Sequence, residues 1–392
     1  MTIVLVSGSF PDVRCGIGDY TSRLALGLAR RAGTRVVVVT SDDERIRSDA
    51  APPAEVVRGP GWGLPKLRAL LQTIRRNAPD IVHVQYPAVG YGRGLGIVLL
   101  PLALRLFTRT PTVLTIHERR ERRMTARAAI DVMALSSRLV ITLDPVEASS
   151  LKQTLRRFAP PMLTGAMIST IPVAAGIDRE AWRARFGAAA GDMVAISFGL
   201  IHPRRRIDRI IDAVAKLRDS GVRVRLWVVG GEAEYDLETA RAYVVSLKEQ
   251  ARTAGIEDVT EWMSHADPET VSACMQAADV CVLLYPGGAS GRNTTLQAAR
   301  EHGLPVVTTV GQATSESLRR EKRILFLSDG EYTTADLADA MLKARDMGVA
   351  APLSPIDAHG LGEHVDFHLS AYASLSPSQA AGLDASGLRP RN

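Results

Sequence analysis

The chain has 392 residues, of which 46% are hydrophobic and 23% charged, and its formal net charge is +6. This length and composition predict a soluble globular protein of two domains, each able to bury its own core. The small positive charge fits an anionic substrate, a membrane surface, or simply a genome rich in arginine codons. No basic run contains interleaved aromatic residues, which argues against a nucleic-acid-binding protein.

The three cysteines, Cys15, Cys274 and Cys281, form no CxxC pair and no zinc-binding spacing. They predict a reducing, cytoplasmic compartment. The start, MTIVLVSGSF, lacks the basic region of a signal peptide and predicts a first strand. The most apolar run, from Gly94 to Phe107, is too short to span a bilayer and predicts a buried helix.

Strands and amphipathic helices alternate through the first half of the chain. Apolar residues recur at helical spacing in 19–32, and the valines of 35–40 predict a strand buried on both faces. Other strands are predicted at 3–7, 81–85, 112–117 and 139–143, with helices at 66–77, 95–107 and 124–135. This alternation predicts right-handed βαβ units in a doubly wound parallel sheet.

A second α/β domain is predicted after a polar, Ala- and Gly-rich approach to a linker at 177–192. We predict an N-terminal domain at 1–182, a C-terminal domain at 183–358, a helix at 359–375 that packs back toward the first domain, and a disordered tail at 376–392. Open α/β sheets bind ligands beyond the carboxyl ends of their strands, so we expect the site in a cleft between the domains.

The segment 286–309 is the most informative part of the sequence. A turn rich in glycine and serine, PGGASGRN, opens a short helix, and a buried strand follows. Its glycines allow the backbone to approach a ligand closely. Asn293, Thr294 and Thr295 fall where a helix exposes N–H groups that attract phosphates. The segment predicts a nucleoside diphosphate held by backbone dipoles.

Three consecutive arginines, Arg204 to Arg206, open the helix that follows the strand at 193–198. Helix starts favour acidic residues, so an anion between these cations is the simpler explanation of the run. Arginine also matches phosphate oxygens in bidentate geometry. The alternative is a solvated charge run, and we favour phosphate binding by at least one of the three.

His83 and His117 lie at predicted strand ends, and either histidine could be a satisfied core group. His117 is the better functional candidate because Glu118 and a basic patch at 119–123 follow it. That patch fits an anionic acceptor or an acidic membrane surface, and its alternative is a solvated helix start. We therefore predict peripheral contact with a membrane as one possible function of the patch.

Gly16 and Gly18 frame a turn before the first helix, but the full GxGxxG pattern is absent. An ordinary strand–helix connection, with Asp19 as its N-cap, explains this turn equally well. The sequence also contains no HExxH, no Walker lysine and no DxD at a strand end. We therefore predict neither a metal site nor a cofactor.

Taken in order, the motifs resemble those of a family-4 glycosyltransferase of GT-B fold, over about residues 1 to 375. The matching pieces are GIGDY, DIVHVQYP, VLTIHE, ITLDP, IPVAAGID, FGLIHPRRRID, VVGG, ADVCVLLYP and AAREHGLPVVTT. The resemblance implies two Rossmann-like doubly wound domains that face each other across a cleft. It also implies metal-independent transfer of a sugar from a nucleotide diphosphate sugar, with retention of anomeric configuration.

The resemblance implies roles for individual residues. His117 matches the histidine near the transferred sugar, and Arg205 takes the place of a diphosphate-binding basic residue, so both are predicted to be catalytic. The diphosphate site is predicted from loop and helix-start residues: Gly16, Gly18, Arg205, Arg292, Asn293, Thr294, Thr295 and Leu296. The remaining predicted contacts are Ser290 and Glu118 for the sugar, Trp262 and Met263 for the nucleobase, and Asp19, Gln85 and Tyr86 on the acceptor side.

Three positions depart from the family pattern. Leu200 stands where the family usually has arginine, and Ser290 and Ala298 stand where it has a pair of glutamates. One of those glutamates normally contacts the sugar and the other the ribose. Ala298 cannot accept a hydrogen bond through its side chain, and Glu301 is the nearby carboxylate that could substitute.

Family habit makes UDP the first expectation for the donor nucleotide and GDP the second. The acceptor could be a polysaccharide intermediate, a lipid or a small natural product. Two rival functions stay open: a nucleotide-sugar 2-epimerase, and an inactive nucleotide-sugar-binding partner subunit.

Overall fold

The computed structural model describes residues 1–11, 13, 15–46, 53–120, 122–165, 167–233, 236–264, 266–352 and 359–375. These residues fold into two compact units. Unit 1 consists of the described residues within Met1–Ala166 and Gly360–Asn392, and unit 2 of those within Met167–His359. The domain limits predicted at 182 and 183 stay predictions, and the predicted tail at 376–392 lies outside the described residues.

Unit 1 is built on a parallel sheet. Its strands within the described residues are β1 (Thr2–Ser7), β2 (Arg35–Thr40), β3 (Glu55–Arg58), β4 (Ile81–Tyr86), β5 (Thr112–Ile116), β6 (Leu139–Thr142) and β7 (Met162–Thr164). They lie in the order β3-β2-β1-β4-β5-β6-β7, and neighbouring strands pair in parallel. The central strands are buried along nearly their whole length, as expected for a sheet covered on both faces. The doubly wound sheet predicted from the alternating pattern is confirmed.

The helices of unit 1 follow the strands at βαβ spacing. They are α1 (Gly16–Ala29), α2 (Leu67–Arg76), α3 (Leu95–Phe107), α4 (Met124–Ser136) and α5 (Pro145–Leu155). The sequence pattern did not predict α5. Its start is fixed by Pro145 at the first helical position and by the Asp144 carboxylate, which accepts from the Val146 N–H at 2.8 Å.

Unit 2 repeats the same strand order. Its described strands are β8 (Met193–Phe198), β9 (Val224–Val229), β10 (Thr260–Met263), β11 (Val280–Leu283), β12 (Val306–Val310) and β13 (Ile324–Ser328). They form one parallel sheet in the order β10-β9-β8-β11-β12-β13. The chain leaves β8 toward β9 on one side and later returns to β11 on the other. Ligands of such sheets bind at this switch point, beyond the carboxyl ends of the strands.

The described helices of unit 2 are α6 (Arg179–Arg185), α7 (Ile207–Asp219), α8 (Leu237–Thr253), α9 (Pro268–Ala277), α10 (Thr294–Glu301), α11 (Glu316–Arg319) and α12 (Thr334–Asp346). Helix α6 lies in the segment that composition alone suggested as the approach to a linker. Its Arg179 and Arg183 both pair with Asp279, at 2.5 and 3.1 Å, which attaches the helix to the sheet. Across the parts of the chain that the structure describes, no helix is long and apolar enough to cross a membrane.

The last described helix, α13 (His359–Ala373), packs on α1 and the sheet of unit 1. Gly27 of α1 allows this close approach, because a Cβ there would lie 2.5 Å from Cγ2 of Val365. Val365 is 1% exposed. An exposed ion pair between Arg31 and Asp366, at 2.6 Å, borders the contact. The apolar packing at Gly27 therefore contributes more to the attachment of α13 than this exposed pair does.

Substituting Gly27 with valine should loosen this contact. Val365 is β-branched and stiff, so the added side chain forces α1 and α13 apart. We expect Gly27→Val to lower the free energy of unfolding by about 2 kcal/mol, measured by urea denaturation. The control is Gly362→Ala in α13, where a Cβ meets no atom within 4 Å. That change should stabilise by up to about 1 kcal/mol. Equal stabilities for the two variants would contradict the close packing of Gly27 against Val365.

Candidate functional site

The predicted site residues lie at the carboxyl ends of the strands of two sheets, one sheet in each unit. In unit 1 they follow β1 and β5 or end β4, and in unit 2 they follow β8 and β11 or end β10. In parallel sheets these are the carboxyl ends of the strands, where ligands bind.

In unit 2, Arg205 and Thr295 are brought together by a residue that sequence reasoning missed, Tyr285. The guanidinium carbon of Arg205 lies 5.0 Å from the centre of the Tyr285 ring, a cation–π contact. The Tyr285 hydroxyl lies 2.6 Å from the Thr295 hydroxyl. Tyr285 is buried, and burial raises its pKa, so the phenol stays neutral. We call Arg205, Tyr285 and Thr295 the Arg205 cluster.

Two glycines give the cluster its space. Gly199 follows β8 with φ of 126°, and a Cβ there would lie 2.9 Å from Cγ2 of Thr295. Gly230 follows β9 with φ of 143°, and a Cβ there would collide with the Gly199 carbonyl oxygen. Both positions therefore require glycine, for backbone conformation as well as for space.

The loop at 286–293 leads into α10. Gly287 and Gly288 have φ of 78° and 93°. Asn293 precedes α10, but its side-chain oxygen accepts from the Ser290 N–H at 2.7 Å and does not cap the helix. By helix geometry the first-turn N–H groups, which include those of Thr294, Thr295 and Leu296, have no intrahelical acceptor. They make this helix end suited to an anion.

The other predicted residues of this loop differ in which of their atoms can reach a ligand. The Leu296 side chain is buried, so only its backbone amide can meet a ligand. Ser290 is also buried, and its hydroxyl lies 3.4 Å from the Arg292 N–H. Arg292 is half-buried beside them. Ser290 thus shapes the turn from which Arg292 extends.

The three consecutive arginines have different surroundings. Arg204 is exposed. Arg206 pairs with Asp329 at 2.5 Å, and the other oxygen of that carboxylate accepts from the Gly287 N–H at 2.6 Å. Arg205 alone of the three belongs to the Arg205 cluster. Arg206 therefore holds the loop in place, which leaves Arg205 as the best phosphate ligand of the run.

Trp262 and Met263 end the edge strand β10 and are half-buried. Trp262 packs on the core formed with α7 and α8, whereas Met263 packs on the core formed with α9. Successive side chains of a strand point to opposite faces. The two predicted nucleobase contacts are therefore not brought to one surface by their side chains.

In unit 1, His117 follows β5 and is buried. Its Nε2 lies 2.9 Å from Oε1 of Gln85, at the end of β4. The ring of Tyr20 meets the imidazole edge-on, with ring centres 5.0 Å apart. The structure thus joins His117 and Gln85, which were predicted for different roles, and adds Tyr20, which was not predicted.

The glycines before α1 differ in their surroundings. A Cβ on Gly18 would lie 3.1 Å from the Phe10 nitrogen, so this position is close to the β1–α1 loop. Gly16 is exposed, with no atom within 4 Å of a Cβ. Asp19 lies in the first turn of α1 and is not its N-cap, which is Cys15. The expectation of Asp19 as an N-cap was wrong by one turn.

The basic patch predicted at 119–123 needs a correction. Arg119 is buried and makes a bidentate pair with Asp131, at 2.7 and 2.9 Å. Arg122 pairs with Glu118 at 2.9 Å. Both arginines are thus paired within unit 1, Arg119 with a carboxylate of α4 and Arg122 with one four residues earlier in the chain. Tyr86, at the end of β4, stacks on Tyr91 with ring centres 5.6 Å apart.

Comparisons with known proteins identify the family. Residues 193–346 match the family model described as glycosyl transferases group 1. Residues 15–167 match the model described as a glycosyl transferase 4-like domain. This chain belongs to the GT-B glycosyltransferases.

Solved structures agree with this fold. The glycosyltransferase is similar to sucrose-phosphate synthase from Thermosynechococcus elongatus, with a TM-score of 0.68 and 18% identity over 97% of this chain and 98% of that one. It is also similar to HepE of Anabaena in complex with UDP-glucose, with a TM-score of 0.69 and 17% identity over 95% and 100% of the two chains. The GT-B fold predicted from the sequence is confirmed.

One curated relative is D-inositol 3-phosphate glycosyltransferase of Nocardia farcinica. It is 29% identical to this chain over 166 residues, which are 42% of this chain and 35% of the relative. The match thus spans about a third of that protein's length, so the substrates of the glycosyltransferase remain a matter for proposal.

One departure from the family pattern, Ala298, has a structural explanation. Ala298 is fully buried in the core of unit 2, where a carboxylate would be costly. Glu301 ends α10, and its carboxylate accepts from the Ser169 N–H at 3.3 Å. It lies at the opposite end of α10 from Thr294, which argues against Glu301 as a substitute for the missing ribose contact.

Within the described residues of the glycosyltransferase, no three His, Cys, Asp or Glu side chains are grouped to hold a metal ion. Arg205 and the start of α10 place positive charge at the predicted diphosphate site. Tyr285 could have been found from the sequence as a tyrosine directly after the strand ADVCVLL. Tyr20 gave no such signal, because its helical spacing is also that of an ordinary core residue.

Asp19 gives a pH-dependent prediction. Burial raises its pKa to about 6 from the ordinary value of 3.8. The folded state therefore binds a proton more tightly than the unfolded state, so stability should fall as the pH rises from about 4 to about 6. Asp19→Asn should remove this slope and stabilise the protein at pH 7 by up to about 3 kcal/mol.

Urea denaturation across pH 4 to 8 measures the effect. Asp339→Asn, a change within α12 of unit 2, is the control for a lost carboxylate. A parallel pH dependence in wild type and Asp19→Asn would contradict the assignment.

Proposed function

We propose that this glycosyltransferase moves a sugar from a nucleotide diphosphate sugar to an acceptor hydroxyl, with retention of configuration and without a metal ion. The observation that best supports the proposal is the Arg205 cluster. It holds a guanidinium beside the first turn of α10, where backbone N–H groups also face outward. A diphosphate is the donor component that matches this pairing of charges and amides.

Breaking the bond between the sugar C1 and the diphosphate oxygen leaves negative charge on the β-phosphate. Arg205 and the N–H groups of α10 would stabilise that charge as it develops, which lowers the barrier more than it strengthens ground-state binding. Arg292 would add a second guanidinium. The acceptor oxygen bonds to C1 on the face from which the diphosphate departs, and its proton passes to that leaving group.

The unit 1 residues would bind the sugar and the acceptor. His117 and Glu118 are proposed at the sugar, and Asp19, Gln85 and Tyr86 on the acceptor side. Gly16 and Gly18 would border the donor phosphates. The buried bond between His117 and Gln85 supports a positioning role for this histidine rather than that of a strong base.

UDP is proposed as the first choice of donor nucleotide and GDP as the second. The similarity to HepE, which was solved with UDP-glucose, supports UDP. Either Trp262 or Met263 would contact the nucleobase. The alanine at 298 removes a carboxylate that would bind the ribose in relatives, so recognition of the nucleoside would depend more on its diphosphate. The buried, unpaired cysteines found in the described chain support a reducing, cytoplasmic compartment.

Removing the Arg205 guanidinium should strongly reduce transfer. We expect Arg205→Ala to lower kcat about 100-fold to 1000-fold, because a preorganised charge at the leaving group is lost. The measurement is release of UDP or GDP from a panel of nucleotide sugars with polysaccharide, lipid and small-molecule acceptors. The matched control is Arg204→Ala, an exposed neighbour that should retain activity.

Full activity of Arg205→Ala would overturn the role of this residue, and loss of activity with EDTA would overturn metal independence. Conversion of the donor without an acceptor, followed by NMR, would favour the 2-epimerase. Binding of the donor in calorimetry without turnover of any acceptor would favour an inactive partner subunit.

We also propose that unit 1 contacts an anionic membrane surface. The supporting feature is an exposed face at the end of α3, which we call the α3 patch. Leu106 and Phe107 are 66% and 69% exposed. The cavity of about 950 Å³ beside them is lined by Arg105, Arg109 and the exposed Phe158. Exposed apolar tips flanked by arginines are the composition of an interfacial membrane contact.

Replacing both apolar tips should weaken this contact. We expect the double variant Leu106→Ser with Phe107→Ser to bind vesicles of phosphatidylcholine and phosphatidylglycerol at least about tenfold more weakly, because buried apolar area drives insertion. Co-sedimentation measures the binding. Val245→Ser replaces a 70% exposed valine of unit 2 and should bind like wild type. Equal binding of all three proteins, or no binding by wild type, would show that the α3 patch does not bind an anionic membrane surface.

A further inference from the structure

A buried polar network connects α13 with the predicted catalytic histidine. Its members are histidine, tyrosine, glutamine and threonine side chains from α1, β4, β5 and α13, and the residue after β5: Tyr20, His83, Gln85, Thr115, His117, His364, His368 and Tyr372. All are buried, and all belong to unit 1. Neither the family motifs nor the proposed chemistry accounts for the members on α13.

One branch of the network runs from Tyr372 to His117 through two residues of β4. The Tyr372 hydroxyl lies 2.6 Å from Nδ1 of His83. Nε2 of His83 lies 3.1 Å from Nε2 of Gln85. Oε1 of Gln85 then lies 2.9 Å from Nε2 of His117. Three consecutive hydrogen bonds thus link the C-terminal helix with the imidazole.

The chemistry of the amide fixes the direction of these bonds. The Gln85 NH₂ can only donate, and it lies 3.1 Å from Nε2 and 3.4 Å from Nδ1 of His83, whose Nε2 also lies 2.7 Å from the Thr115 hydroxyl. His83 therefore accepts from Gln85 through one ring nitrogen and carries its proton on the other. Burial lowers the pKa of His83 well below its ordinary value, which keeps this ring neutral. Because Oε1 of Gln85 can only accept, His117 carries a proton on Nε2.

The second branch reaches His117 from its other side. Nε2 of His364 lies 2.7 Å from the Tyr20 hydroxyl, and the Tyr20 ring meets the His117 ring edge-on. His368 stabilises this part of α13, since its Nδ1 donates to the His364 carbonyl oxygen at 2.8 Å. The hydrogen bond from His117 to Gln85 and the contact of its ring with Tyr20 thus both lead back to α13.

We propose that α13 positions His117 for glycosyl transfer, with Tyr372 acting through His83 and Gln85 and with His364 acting through Tyr20. This inference rests on the proposed function, which places His117 at the transferred sugar. Tyr372, His83, His364 and Tyr20 are positioning residues, because they act through another side chain. They set the plane of the imidazole and the nitrogen that carries its proton.

The position of the proton can be tested without any substrate. Wild-type protein labelled with ¹⁵N-histidine is examined by long-range ¹H–¹⁵N NMR, and His117→Gln identifies the resonances of His117. We expect His83 to be neutral and His117 to be protonated on Nε2. A neutral His117 protonated on Nδ1 would contradict the hydrogen bond from His117 to Gln85 and therefore the positioning of His117 by α13. The proton positions are read from wild-type protein, and the variant His117→Gln serves only to identify the resonances.

Removing the Tyr372 hydroxyl tests the positioning role. We expect Tyr372→Phe to shift the His117 resonances and to lower kcat about tenfold, with the donor KM changed less than about twofold. Val365→Ala is the matched control, since it weakens the packing of α13 against Gly27 without touching a polar group. It should lower Tm while it leaves kcat and the His117 resonances at their wild-type values.

These outcomes distinguish a failure of the positioning role of α13 from a failure of the proposed function. Wild-type kcat and resonances in Tyr372→Phe would overturn the inference, as would an equal loss of kcat in Val365→Ala. If wild type transfers no sugar from any donor, the proposed function fails. The wild-type spectrum and its change in Tyr372→Phe would still decide whether α13 orients the imidazole.

Discussion

The contact between the Arg205 guanidinium and the buried ring of Tyr285 is the interaction on which the proposed function of unit 2 depends. A flexible arginine would lose side-chain entropy on binding a phosphate. Here the ring of Tyr285, whose hydroxyl is hydrogen-bonded to Thr295, holds the guanidinium beside α10 before any ligand arrives. Preorganised charge of this kind is what stabilises a leaving group without reorganisation during the reaction.

Sequence periodicity predicted the fold because parallel strands and their helices carry strong local patterns. The limits predicted for 35–40, 95–107 and 193–198 agree with β2, α3 and β8. Weaker elements were missed. The pattern did not predict α6, because its stability comes from the pairing of Arg179 and Arg183 with Asp279, which is distant in sequence.

The candidate site was predictable where function depends on backbone. Glycines and a helix start can be read from a single sequence, so the loop before α10 was found directly. Side-chain partners were harder to predict, since they depend on tertiary contacts. Arg119 looked like part of a basic surface and is buried against Asp131, whereas His364 and Tyr372 looked like residues of an ordinary final helix.

Asp329 has a consequence for engineering. One carboxylate, after β13, receives both the Arg206 side chain and the Gly287 amide. The turn before α10 is therefore anchored to a residue about forty positions downstream, a link that loop grafting would ignore. A chimaera that imports the 286–293 turn from another enzyme to change donor preference would need to import the residue at 329 as well.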